Sequence, residues 1–183
     1  MKNALILHGT ANNHNGNWFP WLKNELENKG YKVWVPDLPI PNTPNAKLNT
    51  NFILTNKDWN FDGESLIIGH SSGAVEILNL LQHFPKDVCV KKCIFVAVFK
   101  DNLGEEMFNG LFEEVFNFQL IKKHSKQFIF IHSDDDPYCP LSHAEYLSKK
   151  LNAKLIVKKG QGHFNLEKGS QYKKFPFLLD LVD

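Results

Sequence analysis

The sequence predicts an α/β fold of three layers, with about six mostly parallel strands in the middle and helices on both faces. Apolar runs of strand length recur along the chain, and the segments between them are compatible with helices or loops. The fourth run is apolar throughout instead of alternating, as is typical of a strand buried on both faces. The runs are Ala4–Leu7, Val33–Val35, Ser65–Ile68, Cys93–Phe99, Phe128–Ile131 and Leu155–Val157.

Length and charge limit the number of domains and the class of partner. The 183 residues predict one domain over residues 1–183, large enough to bury a core and too short for a large second domain. The net charge is +1 and the charged residues are scattered along the chain. We therefore expect no nucleic-acid partner, because binding to phosphates needs clustered positive charge.

The sequence also predicts a cytoplasmic protein without a membrane partner. The apolar N-terminal stretch is interrupted by His8 and Gly9, which leaves it too short for the core of a signal peptide. The longest apolar run, Cys93–Phe99, has only the length of a strand. The 3 cysteines lack the spacing of a zinc site or of a disulfide framework, so free thiols in a reducing compartment are expected.

Two segments carry their apolar residues on one helical face. The first ends before Gly30, and its tryptophans are interpreted as core residues in preference to substrate contacts. The second ends before Pro85. Elsewhere in the chain, the proline-rich stretch Pro36–Pro44 predicts an irregular surface connection. The apolar positions are Trp18, Trp21, Leu22 and Leu26 in the first segment and Val75, Leu78 and Leu81 in the second.

The segment Glu105–Phe116 has the spacing of an amphipathic helix. One interpretation is a crossover helix packed on the sheet. The other is a small cap whose phenylalanines line a pocket for an acyl group, because loops at the carboxyl ends of parallel strands surround the site in such folds. The candidate pocket residues are Phe108, Phe112 and Phe116.

A glycine-flanked serine joins the third apolar run to the second helical segment. A serine in a strand-to-helix turn of this kind is typical of a nucleophile elbow, with Ser71 as the exposed nucleophile. The glycines are expected because side chains there would collide with the neighbouring strand and helix. The alternative is a tight turn with an ordinary N-cap serine. The run is Gly69-His70-Ser71-Ser72-Gly73.

A nucleophilic serine needs a base and an acid that orients the base, and both candidates follow later strands. His163 lies in a glycine-rich turn after the last apolar run. Asp134, Asp135 and Asp136 follow the fifth run and compete for the role of the acid. A metal site built from His132, Asp134 and His163 is conceivable, but it lacks the spacing of known motifs, so no metal is expected.

Negative charge on an attacked carbonyl oxygen needs fixed donors. One donor is expected to be the backbone N–H of Ser72, which directly follows the nucleophile at the N-terminus of a helix. The other is expected in the turn after the first strand, where Thr10 is preferred to Ala11.

These motifs and their order resemble the α/β-hydrolase superfamily. The likeness is greatest to the small branch that contains retinoblastoma-binding protein 9 and the YdeN-type bacterial hydrolases. The resemblance implies a compact hydrolase core without a large cap, with Ser71 as nucleophile, Asp136 as orienting acid and His163 as base. The motifs are Leu7-His8-Gly9, Gly69-His70-Ser71-Ser72-Gly73, Asp135-Asp136-Pro137 and Gly162-His163-Phe164.

The expected function is therefore that of a serine hydrolase without a cofactor. Its expected partners are small carboxylic esters, thioesters or amides, cleaved through an acyl-Ser71 intermediate. The alternative is a protein-binding module that keeps the hydrolase fold but not the activity, because a fold does not determine a function.

Overall fold

The computed structural model describes residues 2–182 and contains a central six-stranded sheet. The strand order is β2-β1-β3-β4-β5-β6, and every neighbouring pair is parallel. This arrangement confirms the predicted parallel sheet, and each predicted run contributes one strand. The strands are β1 (Asn3–Leu7), β2 (Lys32–Trp34), β3 (Ser65–His70), β4 (Lys92–Val96), β5 (Phe128–Ser133) and β6 (Lys154–Lys158).

Helices connect the strands and cover both faces of the sheet. Short 3₁₀ helices supplement them between β4 and β5 and after β6. No helix within residues 2–182 is long and apolar enough to cross a bilayer. The α-helices are α1 (Phe19–Asn28), α2 (Ala46–Leu54), α3 (Ser72–Gln82), α4 (Phe118–Ile121) and α5 (Leu141–Leu151).

The core consists of two apolar clusters, one on each face of the sheet. Alternate residues of β1 belong to different clusters, because successive side chains of a strand point to opposite faces. Ala4 and Ile6 pack with α1 and the C-terminal segment, whereas Leu5 and Leu7 pack with α2, α3 and α5. Trp18 lies fully buried in the cluster that contains Ala4 and Ile6, as its interpretation as a core residue predicts.

The fourth strand is shorter than the apolar run Cys93–Phe99 that predicts it. It ends at Val96 because Ala97 has a φ of 53°, outside the β region. The backbone then turns, and Val98 and Phe99 are buried without strand pairing. The apolar pattern reports this burial, whereas the position of the turn depends on contacts with other strands.

The prediction of an amphipathic helix over Glu105–Phe116 was wrong. The structure has a 3₁₀ helix only over Glu106–Leu111, followed by bends. Asn109 and Gly110 are weak helix formers in the middle of the segment, which disfavours a continuous α-helix. Val115 is 94% exposed, although the predicted helix places it on the apolar face.

A buried carboxyl group lies between α2 and α3. Glu76 is completely buried and accepts hydrogen bonds from Thr50 Oγ1 at 2.8 Å and Asn49 Nδ2 at 3.3 Å. Burial raises the pKa of Glu76 from its ordinary value of 4.5 to about 8, although these hydrogen bonds oppose the shift. The folded protein therefore keeps a proton on Glu76 at neutral pH, whereas the unfolded chain has lost it.

This proton makes the stability depend on pH. The free energy of unfolding should fall as the pH rises from 4.5 to about 8, because only the unfolded state ionises Glu76 in that window, and should level off above it. Glu76→Gln removes this loss, so its stability relative to wild type should increase between pH 5 and 8 by on the order of a few kcal/mol. Urea unfolding followed by circular dichroism measures the difference. Free energies of unfolding that change in parallel with pH for wild type and Glu76→Gln would contradict the prediction. Glu145→Gln, at an exposed position, is the control.

Candidate active site

Ser71 lies in a strained turn between β3 and α3. Its φ of 56° and ψ of −123° are unfavourable for a residue with a side chain. The turn is held in place because the Ser71 N–H donates a hydrogen bond to the Val96 carbonyl at 2.9 Å. This conformation is that of a nucleophile elbow, in which the serine side chain leaves the sheet.

Two glycines let the backbones of β1, β3 and α3 touch at this turn. A Cβ atom on Gly69 would lie 2.4 Å from the Gly73 carbonyl oxygen. A Cβ atom on Gly73 would lie 2.4 Å from the carbonyl oxygen of His8 and 2.5 Å from that of Leu7. The glycines thus have the steric role that the sequence predicts for them.

His163 and Asp136 form a buried pair at the carboxyl edge of the sheet. His163 Nδ1 lies 2.9 Å from Asp136 Oδ2 and 3.1 Å from Oδ1. The carboxylate also accepts hydrogen bonds from the backbone N–H groups of Tyr138 and Cys139 at 2.9 and 3.0 Å. Burial by itself would raise the pKa of Asp136, but the hydrogen bond and charge of His163, with the two amides, hold it below its usual range.

The neighbouring aspartates stabilise the loop that carries His163. Asp134 accepts a hydrogen bond from the Gly160 N–H at 2.8 Å. Asp135 accepts hydrogen bonds from Ser133 Oγ and the Gly162 N–H, both at 2.6 Å. These contacts, with Lys168 at 2.9 Å, lower the pKa of Asp135 well below its usual range. Of the three candidate acids, Asp136 is the one in contact with His163.

Two buried aromatic side chains hold the His163 loop from the sheet side. His70 Nε2 lies 2.7 Å from the His163 carbonyl oxygen, and Trp18 Nε1 donates to the Phe164 carbonyl at 3.1 Å. Burial, followed by the charge of His163, lowers the pKa of His70 to about 3. His70 is therefore neutral at pH 7, and its Nε2 carries the proton because a carbonyl oxygen only accepts.

The turn after β1 lies beside the start of α3. Thr10 Oγ1 donates a hydrogen bond to Ser72 Oγ at 2.8 Å, which joins the two predicted donor residues. The Ala11 N–H donates to the Pro41 carbonyl at 3.0 Å, so it is already used. No hydrogen bond of the Thr10 N–H occurs within residues 2–182. His8 fixes the turn, because Nδ1 contacts the Gly9 carbonyl at 2.8 Å and Nε2 accepts from the Leu38 N–H at 2.9 Å.

Ser71 and His163 line one cavity of about 430 Å³. Among the described residues no hydrogen bond joins Ser71 Oγ to His163. Catalytic hydrogen bonds are often long before substrate binds and tighten in the complex. The cavity therefore brings the predicted nucleophile and base together without fixing their contact.

Phe108 is the one predicted pocket phenylalanine that lines this cavity. Phe112 packs on Phe99 with ring centroids 5.9 Å apart, and Phe116 packs on Phe112 at 5.8 Å. Both are partly buried against the core and do not line the cavity, because the chain after the 3₁₀ helix does not continue as the predicted helix. Phe99 and Leu103 complete the apolar lining instead.

The sequence reasoning missed the polar side of the cavity. The Tyr138 ring lies edge-on to His163 with centroids 5.1 Å apart, and its hydroxyl donates to Glu167 at 2.7 Å. Asn165 Nδ2 donates to the same carboxylate at 3.1 Å. Their positions, a few residues after Asp136 and His163, are the only sequence signal that could have indicated them.

A larger cavity of about 590 Å³ lies between α2 and α3. Its lining includes Thr50, Asn79 and His83 but not the three predicted catalytic residues. Volume alone therefore does not indicate the reactive site of this protein. The strained serine and the paired histidine identify the smaller cavity as the candidate active site.

A model of the family described as serine hydrolase matches residues 4–183. This chain belongs to the serine hydrolase family. YdeN of Bacillus subtilis (strain 168) is 27% identical over 184 residues, which cover 99% of this chain and 94% of YdeN. Serine hydrolase RBBP9 of Rattus norvegicus is 28% identical over 150 residues, which cover 80% of this chain and 77% of that protein.

Solved structures show the same fold for this hydrolase. The crystal structure of the ydeN gene product from B. subtilis matches with a TM-score of 0.91 at 24% identity, covering 100% of this chain and 97% of that one. Est1E from Butyrivibrio proteoclasticus matches with a TM-score of 0.69 at 16% identity, covering 99% and 88%. The predicted α/β-hydrolase fold is confirmed, and residues 2–182 contain no large cap domain.

The contact of α3 with β1 should not tolerate a side chain at Gly73. Gly73→Ala places a methyl group against two backbone carbonyls, so we expect a loss of at least about 3 kcal/mol of stability or failure to fold. Gly104→Ala is the control, because Gly104 has a φ of 79° but open space, and should cost only about 1 to 2 kcal/mol. Thermal and urea unfolding measure both variants. A Gly73→Ala protein with the stability of wild type would contradict this interpretation.

Proposed function

We propose that this serine hydrolase cleaves small carboxylic esters, thioesters or amides through an acyl-Ser71 intermediate. The observation that carries the proposal is the buried contact between His163 Nδ1 and Asp136 at 2.9 Å, beside a strained serine in the same cavity. The contact fixes the imidazole with Nδ1 protonated, which leaves Nε2 free to accept a proton. Strain at Ser71 fits a nucleophile, because strained backbone conformations cluster at active sites.

In the acylation step, Ser71 Oγ attacks the carbonyl carbon while His163 Nε2 takes the hydroxyl proton. Asp136 stabilises the imidazolium that forms, and its two amide hydrogen bonds keep the carboxylate ionised and oriented. His163 then gives the proton to the leaving group. In deacylation His163 removes a proton from water, whose oxygen attacks the acyl carbon, and His163 returns the proton to Ser71 Oγ as the acid is released.

The N–H groups of Ser72 and Thr10 are the proposed donors to the oxyanion. Ser72 begins α3, where the first N–H groups lack a partner within the helix and the helix dipole favours negative charge. Thr10 is preferred to Ala11, whose N–H is taken by Pro41. The Thr10–Ser72 side-chain hydrogen bond holds the two donors at a fixed separation, as electrostatic stabilisation requires.

The cavity favours an apolar acyl group of modest size. Phe99, Leu103 and Phe108 supply its apolar lining, and its volume of about 430 Å³ lies in the lower part of the range for small-molecule sites. EaEST from Exiguobacterium antarcticum, a relative in fold, is named as an esterase, which supports an ester substrate. We also propose a cytoplasmic location, because the three cysteines are free.

Variants of the three proposed catalytic residues test this function. We expect Ser71→Ala and His163→Ala to lower kcat for a p-nitrophenyl alkanoate by at least about 10³-fold, and Asp136→Asn by a comparable factor through loss of the correct tautomer. The release of p-nitrophenolate is the measurement. Ser142→Ala, an exposed serine of α5, is the control and should keep the wild-type rate.

Melting curves separate lost chemistry from lost structure. The Ser71 variant should melt near the wild-type temperature, because alanine keeps the Cβ atom and loses only a hydroxyl group at the strained position. Unchanged ester hydrolysis in Ser71→Ala would exclude the proposed intermediate. Absence of turnover in wild type over a broad ester, thioester and amide panel would favour the binding-module alternative.

A further inference from the structure

The acid and base of the proposed triad lie beside a thiol. Ligand atoms of Asp136, Cys139 and His163 all lie within 4.8 Å of one another, and this is the only such group of three found within residues 2–182. The alternative group with His132 and Asp134, conceivable from the sequence, does not form one. A thiolate, an imidazole and a carboxylate are together a donor set that zinc accepts.

The three side chains are buried and held in position. Cys139 is 1% exposed, and the side chains of His163 and Asp136 are 8% and 0% exposed. The Cys139 backbone is fixed on both sides, because its N–H donates to Asp136 at 3.0 Å and its carbonyl contacts His132 Nε2 at 2.8 Å. Cys139 and His163 also line the active-site cavity, which supplies a path from solvent.

The three ligand atoms need only small shifts to bind a cation. His163 Nδ1 and Asp136 Oδ2 lie 2.9 Å apart and have to separate slightly, because nitrogen and oxygen ligands of a tetrahedral zinc ion are about 3.3 Å apart. In a tetrahedral zinc site the sulfur and nitrogen ligands are about 3.5 Å apart, and the group lies within 4.8 Å, so the thiol has to approach by at most about 1.3 Å. A rotation about the Cα–Cβ bond of Cys139 is the motion that would supply this shift.

We propose that Asp136, Cys139 and His163 form an inhibitory binding site for a thiophilic divalent cation such as Zn²⁺. Three protein ligands leave the fourth position of a tetrahedral ion for water. The soft sulfur ligand selects Zn²⁺ and Cd²⁺ over Mg²⁺ and Ca²⁺, which prefer oxygen. Binding itself is independent of the proposed function, whereas inhibition rests on it.

Protons and charge balance in the binding step. The Cys139 thiol loses its proton to solvent as the sulfur–metal bond forms. The imidazole proton of His163 moves from Nδ1 to Nε2, so the ring stays neutral and Nδ1 becomes the ligand. The two negative ligands, Asp136 and the Cys139 thiolate, neutralise the charge of the divalent cation.

This rearrangement explains why the bound cation would inhibit. The His163 nitrogen that has to accept the Ser71 proton is Nε2, and in the metal-bound form Nε2 already carries a proton. Asp136 at the same time gives up its contact with Nδ1 and can no longer stabilise an imidazolium. The cation therefore removes the base.

Cobalt binding tests the site independently of catalysis. A thiolate bound to Co²⁺ has a charge-transfer absorption in the near ultraviolet, and Zn²⁺ displaces Co²⁺ because it binds such sites more tightly. We expect this band in wild type and in Ser71→Ala, and its loss in Cys139→Ser and Cys139→Ala. Cys89→Ser is the matched control and should keep the band, because Cys89 is a free cysteine outside the cluster.

Inhibition is measured on the same variants, each relative to its own rate without metal. Zn²⁺ should inhibit wild type and Cys89→Ser reversibly, with recovery on adding EDTA. The Zn²⁺ concentration for half-inhibition should rise at least about 100-fold in either Cys139 variant, because one of the three protein ligands is lost. Mg²⁺ should have no effect on any of them.

The outcomes separate this proposal from the proposed function. A thiolate band that depends on Cys139, with no ester turnover in wild type, would support the metal site and remove the function. Turnover with no Cys139-dependent band would overturn the site and leave the function intact. Equal zinc sensitivity of wild type and folded Cys139 variants, checked by their melting curves, would likewise overturn it.

Discussion

The candidate site depends on the backbone contact of α3 with β1 and β3. Gly69 and Gly73 allow carbonyl oxygens to approach within 2.4 Å of where a Cβ atom would stand. This contact forces the tight turn in which Ser71 adopts a φ of 56°, and it also sets the start of α3 beside the turn that carries Thr10. The positions of the proposed nucleophile and of both proposed oxyanion donors thus follow from one steric constraint.

The proposed base, His163, is positioned by a second set of constraints, which are polar. His70 and Trp18 hold the carbonyls of His163 and Phe164, while Asp135 and Asp134 bind backbone N–H groups of the same loop. His70 can be buried beside the sheet because burial lowers its pKa and keeps the ring uncharged. Nδ1 of His163 is held at Asp136, which leaves Nε2 for the proposed proton transfer.

Much of the fold and the order of the motifs could be predicted from the sequence. Buried strands and the Ser71 turn are local patterns, so β1 and β3 were predictable within a few residues. The end of β4 at Val96 and the 3₁₀ helix Glu106–Leu111 depend on tertiary contacts that periodicity does not contain. For the same reason Phe108 could not be separated from Phe112, and Tyr138 was missed, because cavity lining is decided by residues distant in sequence.

The most direct test of the central claim is the intact mass of the protein after treatment with a fluorophosphonate probe. An activated Ser71 predicts one adduct on wild type, none on Ser71→Ala and strongly slowed labelling of His163→Ala, because the imidazole activates the hydroxyl that attacks phosphorus. Mass spectrometry of a folded protein reports this without knowledge of the substrate. An unmodified wild type, or an adduct that persists in Ser71→Ala, would contradict the assignment of Ser71 as the nucleophile.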